Sequence, residues 1–319
     1  MTLNVLFAAL YERFEQYQTP LKEGFEKHGL DVNLATELAP ETVDYIIYAP
    51  NSSIQDFTPY TKCKAVLNLW AGVESVVFNE TLTQPLTRMV DDGLTQGMVE
   101  WVTGHTLRHH LGMDTHIHGQ DGVWRSYVPP LAKDRIVTLL GLGALGSACA
   151  AALVQLGFVV RGWSKSQKHI NGVTTFSGPH GLKQALAGAH IVILLLPNTP
   201  ETENTLNATT LAYMAQGSYV INPGRGTLIN DEDLLNSLDS GQIAHATLDV
   251  FRVEPLPVDH PFWHHPNVTV VPHKASETRA DTASQVIVEN IVRCETGQSL
   301  KHLVEIGRAS CRERVSDLV

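Results

Sequence analysis

Three residues that can carry acid–base or anion chemistry, Arg225, Glu254 and His273, each stand just past an apolar run of strand length. If those runs are strands of one parallel sheet, their carboxyl ends share an edge, and we expect the three side chains to converge there. A glutamate bonded to a histidine favours the imidazolium and raises its pKa, so a proton stays available near neutral pH. The planar donor fork of an arginine binds a carboxylate. Together they predict proton transfer to a small anion.

Taken singly, each of these residues has a simpler interpretation. On that interpretation, Arg225 and Glu254 would be ordinary charges of surface loops, and His273 would be a histidine whose hydrogen bonds are satisfied locally. Their joint occurrence after successive apolar runs, in a chain that also contains the turn described next, favours the catalytic interpretation.

A glycine-rich turn, G-L-G-A-L-G, occupies residues 141–146, between an apolar run and a stretch of small residues. That order predicts a strand, a tight turn and a helix. Gly141 permits the turn, Gly143 lets a pyrophosphate approach the backbone, and Gly146 lets the helix pack closely on the strand. The stretch therefore predicts a dinucleotide cradle with the phosphates at a helix N-terminus. The motif by itself leaves open a glycine turn in some other α/β unit.

Length and composition restrict the class of protein. A chain of 319 residues suggests about two domains, and 43% hydrophobic with 18% charged residues is typical of globular proteins. The net charge of −10 argues against general affinity for nucleic acid. The four cysteines include no C-x-x-C pair, so we expect reduced thiols. We see no export signal and no membrane span, and expect a cytoplasmic protein with no membrane partner.

The first hundred or so residues alternate short apolar runs with helical patterns, which predicts a small α/β domain. Two of the runs end in loops, at residues 49–52 and 70–74. Gly72 would let backbone N–H groups approach an anion in the second loop. A plain connecting turn is the alternative, which the sequence alone favours.

A predicted helix at residues 96–111 carries His105, His109 and His110. His105 and His109 have the i, i+4 spacing that can share a metal, but no H-E-x-x-H motif and no nearby cysteine accompanies them. We therefore predict no metal site. The helix is interpreted as a domain-linking or subunit-contact helix with a partly solvated face.

Several motifs, in order, resemble the D-isomer-specific 2-hydroxyacid dehydrogenases over nearly the whole chain. They are the glycine turn, L-L-P-N-T-P-E-T at 195–202, N-P-G-R-G at 222–226, L-D-V-F-R-V-E-P-L-P at 248–257 and V-V-P-H at 270–273. Within that family, N-L-W-A-G-V-E at 68–74 and W-S-K-S at 163–166 are most similar to the glyoxylate/hydroxypyruvate reductases.

The resemblance implies an α/β fold with two Rossmann-like, doubly wound parallel-sheet domains. A cofactor domain at 104–279 would be inserted into a split substrate domain at 1–103 plus 280–304, with the active site in the cleft between them. It also implies a homodimer paired through the cofactor domains. Residues 305–319 are interpreted as a non-native tail, because E-I-G-R-A-S-C-R-E-R-V resembles an in-frame translation of a sequencing adapter. A genuine basic terminus is the alternative.

By the same resemblance, the chain reduces small 2-oxo acids such as glyoxylate and hydroxypyruvate to glycolate and D-glycerate. His273 would be the proton donor, Glu254 would hold its proton, and Arg225 would bind the substrate carboxylate and polarise the ketone. The other implied substrate contacts are Tyr48, Ala71, Gly72 and Val73. The implied cofactor contacts are Gly141, Gly143, Ala144, Leu145, Gly146, Ser164, Lys165, Ser166, Leu196, Pro197, Asn198, Thr199, Pro223, Gly224 and Asp249, the last facing the nicotinamide carboxamide.

The end of the second cofactor-domain strand predicts NADPH rather than NADH. NAD-binding versions of this fold place an Asp or Glu there for the ribose 2′-OH, and this chain has Ser164. Lys165, Ser166 and Lys168 are suited to a 2′-phosphate through charge-assisted hydrogen bonds, whereas Arg161 can face away because strand side chains alternate. A solvated basic turn is the alternative.

Two other functions remain open. One is a different member of the family, such as a D-lactate or bulkier 2-oxo acid dehydrogenase. The other is a non-catalytic NAD(H)-sensing corepressor, which can keep the same three residues; turnover of a 2-oxo acid discriminates it from an enzyme.

Overall fold

The computed structural model describes residues 2–304, which form two α/β units. The first unit comprises the described residues up to Leu94 and from Thr278 onward, and the second comprises Thr95–Glu277. The second unit thus interrupts the first in sequence, and each is built on a largely parallel sheet, which confirms the predicted fold class. The prediction for residues 305–319 lies outside the described residues.

The unit limits differ from the predicted domain limits by nine residues at the first limit and by two at the second. The structure divides the chain at 94/95 and 277/278, whereas the sequence placed the limits at 103/104 and 279/280. The first division falls inside a continuous helix, Asp92–His110, so no loop marks the boundary in the sequence.

The secondary structure follows the alternation that the sequence predicts. The strands are β1 (Leu3–Ala8), β2 (Val32–Ala35), β3 (Tyr45–Tyr48), β4 (Ala65–Asn68), β5 (Leu86–Thr87), β6 (Ile136–Leu140), β7 (Val159–Ser164), β8 (Val173–Ser177), β9 (Ile191–Leu194), β10 (Ser218–Asn222), β11 (Ile243–Leu248), β12 (Val268–Val270) and β13 (Leu303–Val304). The helices are α1 (Tyr11–Lys27), α2 (Asp92–His110), α3 (Met113–Ile117), α4 (Ala144–Gln155), α5 (Gly178–Leu186), α6 (Ala208–Leu211), α7 (Asp231–Asp239) and α8 (Ala280–Glu295). The sequence did not predict β5, β8 and β13, because two of them have two residues each and β8 is a half-exposed edge strand without an apolar run.

In the described part of the first unit, the sheet has the strand order β13-β5-β4-β3-β1-β2, parallel except for β13. Alternate residues of its central strands face opposite cores, so Val5 packs on one side and Leu6 on the other. Helices α1 and α8 cover the first of these faces together. Burial on both faces explains why the strands read as continuous apolar runs.

The sheet of the second unit has the order β12-β11-β10-β9-β6-β7-β8 and is parallel throughout the described residues. From β6 the chain winds to one side through β7 and β8, then returns to build β9 to β12 on the other side. The order therefore reverses between β6 and β9, and ligands of such sheets bind beyond the carboxyl ends of strands at this switch point.

No helix among residues 2–304 has the length and apolarity needed to span a membrane.

Candidate active site

The glycine turn lies at the switch point, directly after β6. The space around each of its three glycines differs. Gly141 has a φ of 107°, in the region that favours glycine, and a Cβ there would overlap the carbonyl of Leu195. A Cβ at Gly146 would overlap the carbonyl oxygen of Gly141. A Cβ at Gly143 would meet no atom within 4 Å, so this position is open. The open position in front of a helix is where a phosphate can reach the backbone.

Helix α4 starts at this opening, with Ala144 and Leu145 as its first residues. No side chain caps its first turn, so its leading N–H groups have no intrahelical or capping partner. Unpaired N–H groups and the positive end of the helix dipole together favour a phosphate. The cradle that the structure shows therefore fits the dinucleotide that the sequence predicts.

The loop after β9, residues 195–199, borders the same turn, since Leu195 limits the space at Gly141. A residue that the sequence analysis missed holds this loop: the Thr202 hydroxyl donates to the carbonyl of Pro197 at 2.7 Å and accepts from the N–H of Thr199 at 3.0 Å. Asn198 accepts a bond of 2.9 Å from the Thr227 hydroxyl. The repeated threonines of L-P-N-T-P-E-T are the sequence signal for such a side-chain-held turn.

Glu254 and His273 form a direct pair beyond the ends of β11 and β12. The Nδ1 atom of His273 lies 2.7 Å from Oε2 of Glu254. This hydrogen bond is the main reason that the pKa of His273 is raised above its ordinary value, against the opposing effect of burial. Arg225 lies close enough for its charge to act on both groups. The structure thus brings together the three residues that the sequence singled out.

The backbone around His273 is held in an unusual conformation. His273 has a φ of 51°, in the left-handed region that a non-glycine residue rarely adopts. Its N–H donates to the carbonyl of Asp249 at 2.8 Å, and the Asp249 carboxylate accepts from the N–H groups of Lys274 at 2.6 Å and Ala275 at 3.0 Å. Asp249 is buried, and these bonds give it a loop-holding role that the sequence did not predict. Its contact with a nicotinamide carboxamide stays a prediction.

The Arg225 loop is held by the last residue of β10. The Asn222 side chain donates from Nδ2 to the carbonyl of Arg225 at 2.9 Å and accepts from the N–H of Gly224 at 3.1 Å. A Cβ at Gly226 would overlap the backbone of Phe251, so this glycine is required for close packing. Pro223 and Gly224 themselves are buried in this turn. The loop geometry at Arg225 is therefore set by backbone contacts.

The loop after β7 differs in one respect from the prediction. Ser164 is 9% exposed, and its hydroxyl donates to the carbonyl of Ser166 at 2.7 Å, so this donor is already in use. Lys165 and Ser166 are exposed. The guanidinium of Arg161 donates to the carbonyl of Ala187 at 2.7 Å and lies away from this loop. Contact of Ser164, Lys165 and Ser166 with a 2′-phosphate stays a prediction.

In the first unit, Ala71, Gly72 and Val73 follow β4 in the predicted loop. Tyr48 is 3% exposed and packs edge-on against Phe57, so the structure leaves it almost no surface for a substrate. The sequence pattern could not show that Tyr48 is buried while the loop at 71–73 has free N–H groups within the described chain, because Tyr48 ends one buried parallel strand and the loop follows another.

The histidines of α2 are packing residues. His109 is buried, stacks on Tyr219 and lies 2.9 Å from the Thr247 hydroxyl through Nε2. Burial lowers the pKa of His109 to about 2, so the ring is neutral. Within residues 2–304, no group of three or more His, Cys, Asp or Glu side chains is arranged to hold a metal ion.

Comparison with known proteins shows one consistent family. The model of the D-isomer specific 2-hydroxyacid dehydrogenase NAD binding domain matches residues 104–275. A glyoxylate/hydroxypyruvate reductase A from Serratia proteamaculans is 40% identical over 253 residues, which cover 77% of this chain and 81% of that protein.

Two solved structures resemble the fold over nearly its whole length. A D-isomer specific 2-hydroxyacid dehydrogenase from Xanthobacter autotrophicus Py2, in complex with NADPH and MES, has a TM-score of 0.91 at 38% identity, covering 97% of this chain and 100% of that one. An NADPH-dependent glyoxylate/hydroxypyruvate reductase from Sinorhizobium meliloti, in complex with NADP and sulfate, has a TM-score of 0.85 at 31% identity, covering 97% and 99%.

Proposed function

This chain belongs to the D-isomer-specific 2-hydroxyacid dehydrogenase family, and on that premise we propose that it uses NADPH to reduce glyoxylate, hydroxypyruvate and similar small 2-oxo acids. The observation that carries the proposal is the 2.7 Å pair of His273 and Glu254, at the same sheet edge as the open glycine turn. The family relatives named above support the choice of substrate and cofactor.

Reduction of a 2-oxo acid needs a hydride at the carbonyl carbon and a proton at its oxygen. NADPH, when bound at the glycine turn, supplies the hydride. His273 supplies the proton, and because its Nδ1 is bonded to Glu254, Nε2 is the nitrogen left to deliver it. Glu254 orients the ring and keeps it protonated. Arg225 bonds the substrate carboxylate with its donor fork, polarises the ketone oxygen and stabilises the negative charge that develops there.

The N–H groups of Ala71, Gly72 and Val73 are proposed to bind the substrate carboxylate. In the described chain none of the three donates a hydrogen bond to another protein group. Successive unpaired N–H groups form a concavity that suits an anion.

Cofactor choice is tested by the ratio of kcat/KM with NADPH to that with NADH. We expect the wild type to favour NADPH. The double variant Ser164→Asp with Lys165→Ala should lose or reverse this preference, because it removes a cation from the 2′-phosphate and supplies an acceptor for the ribose hydroxyl. Loss of one charge-assisted bond, about 1.5–3 kcal/mol, corresponds to roughly 10- to 100-fold.

Arg161→Ala is the matched control, since this cation lies on the same strand but bonds to Ala187. Its NADPH to NADH ratio should equal that of the wild type. A wild type that prefers NADH would refute the cofactor assignment and leave the catalytic assignment standing.

The proposal includes a homodimer formed through the second unit. The segment 113–131 exposes a series of large apolar side chains, among them Trp124 at 95% exposure, Val128 and Leu131. Large exposed apolar side chains concentrated in one segment are typical of an interaction site. The segment lies in the unit through which members of the family are expected to pair.

Replacement of Trp124 and Val128 with glutamate should convert the dimer to a monomer, because burying two carboxylates in an apolar interface is unfavourable. Molar mass from light scattering on a size-exclusion column measures the result. Val258→Glu is the control, because Val258 is 89% exposed in a different loop of the same unit. A wild type that is already monomeric would rule out the dimer.

A further inference from the structure

The loop after β4 is held by its carbonyl groups. The carbonyl of Trp70 accepts from the N–H of Met89 at 3.0 Å, and the carbonyl of Leu69 accepts from the Thr278 hydroxyl at 2.9 Å. Trp70 also accepts a second bond, of 2.9 Å, and Gly72 accepts one of 3.0 Å, both from Nδ2 of Asn68. One side chain therefore uses both of its amide hydrogens on this loop.

Holding these carbonyls fixes the direction of the amides that follow them. In a trans peptide the C=O of one residue and the N–H of the next point in opposite directions. With the carbonyls of Trp70 and Gly72 turned toward Asn68, the N–H groups of Ala71 and Val73 point away from it. These are two of the three unpaired N–H groups that the proposed function assigns to the substrate carboxylate.

An asparagine at position 68 does not itself stabilise the fold. It is 1% exposed at the end of a buried strand, and its Oδ1 has no hydrogen-bond partner among residues 2–304. A buried acceptor without a donor costs free energy, whereas an apolar residue of similar size would pack here without that cost. The benefit of the asparagine thus lies in the loop that it holds.

We propose that Asn68 is a positioning residue, which orients the N–H groups of Ala71 and Val73 toward the carboxylate of the substrate. This inference rests on the proposed function and adds to it a residue that acts through the backbone. Asn68 touches neither substrate nor cofactor in this role, so its removal should weaken binding of the acid while the proton donor is left intact.

The first test compares Asn68→Ala with wild type in the reduction of glyoxylate. We expect the KM for glyoxylate to rise at least about tenfold, the range for loss of a hydrogen bond to a charged group, with kcat changed by less than about threefold and the KM for NADPH unchanged. Asn68→Ser keeps one hydrogen-bond donor, so its KM for glyoxylate should lie between those of the wild type and Asn68→Ala. This split between KM and kcat separates a positioning role from general loss of structure.

Asn290→Ala is the matched control. Asn290 is a buried asparagine of the same unit that also holds a loop, through its bonds to the N–H and carbonyl of Lys301 at 2.7 and 3.4 Å. Its variant should lower the melting temperature by a similar amount and leave the KM for glyoxylate unchanged. If Asn68→Ala behaves as Asn290→Ala does, or lowers kcat and cofactor affinity equally, the inference is overturned.

A second measurement does not depend on turnover. Oxalate is a two-carbon dicarboxylate, and its dissociation constant with wild type and Asn68→Ala is measured by calorimetry in the presence of NADPH. Weaker binding to Asn68→Ala supports the inference even if the wild type reduces no 2-oxo acid, which would refute the proposed function alone. Equal binding to both, or none to the wild type, overturns the inference.

Discussion

His273→Ala should lower kcat for 2-oxo acid reduction by about 10²- to 10⁴-fold, the range that general acid catalysis contributes. The variant loses the only group of the His273–Glu254 pair that can hold a proton near neutral pH and deliver it to the carbonyl oxygen. Steady-state turnover of glyoxylate with NADPH measures the effect. Binding of NADPH, followed by fluorescence, should change little, because the glycine turn is left intact.

The controls for this prediction address the fold and the choice of histidine. His273→Asn should be as inactive as the alanine variant, and asparagine tolerates the left-handed backbone at this position. His264→Ala, an exposed histidine of the same unit, should keep wild-type turnover. Near-normal activity of His273→Ala would instead direct attention to His260, His264 and His265.

The same pair sets the expected pH dependence. Because the hydrogen bond that His273 donates to Glu254 raises the pKa of His273, the ring stays protonated to a higher pH than an ordinary histidine. Reduction requires the protonated ring, so kcat should be full below this raised pKa and fall as the pH rises through it. Glu254→Gln removes the carboxylate, lowers the pKa and should move the falling limb to lower pH.

Arg225→Lys should reduce kcat/KM for glyoxylate by roughly 100-fold, although the charge is kept. An ammonium group cannot reproduce the planar fork that bonds an oxyanion at two points, and one lost bond to a charged group accounts for about 1.5–3 kcal/mol. The measurement is kcat/KM at fixed NADPH. The KM for NADPH should stay near the wild-type value.

Arg108→Lys is the matched control for this prediction. Arg108 is another partly buried arginine of the same unit, bonded to Asp114 at 2.7 Å and to the Thr269 hydroxyl at 2.9 Å. Replacement of Arg108 by lysine should lower the melting temperature and leave kcat/KM for glyoxylate unchanged. If Arg225→Lys retained full activity, the assigned contact with the substrate would be wrong.

The sequence was sufficient where function depends on the order of elements along the chain. The glycine turn and the positions of Arg225, Glu254 and His273 could be placed because the carboxyl ends of parallel strands meet at one edge. The fold class followed from the same alternation of strands and helices.

The sequence was insufficient where function depends on which way a side chain points. Ser164 and Tyr48 have the right types and places, but the Ser164 hydroxyl bonds to its own loop and the Tyr48 ring is buried against Phe57. Asn68 shows the opposite case, since only the bonds to Trp70 and Gly72 reveal what it does. Each outcome depends on tertiary neighbours that the local pattern does not specify.

Asn68 and Asn222 occupy the same place in two different sheets: each ends a parallel strand and holds main-chain groups of the loop that follows. Because a strand supplies the holding group and its targets are backbone atoms, loop side chains can change without altering the shape of the loop. Trp70, whose side chain is 43% exposed, can therefore be replaced with little expected change in the shape of this loop. Position 68 is the one that should be left constant.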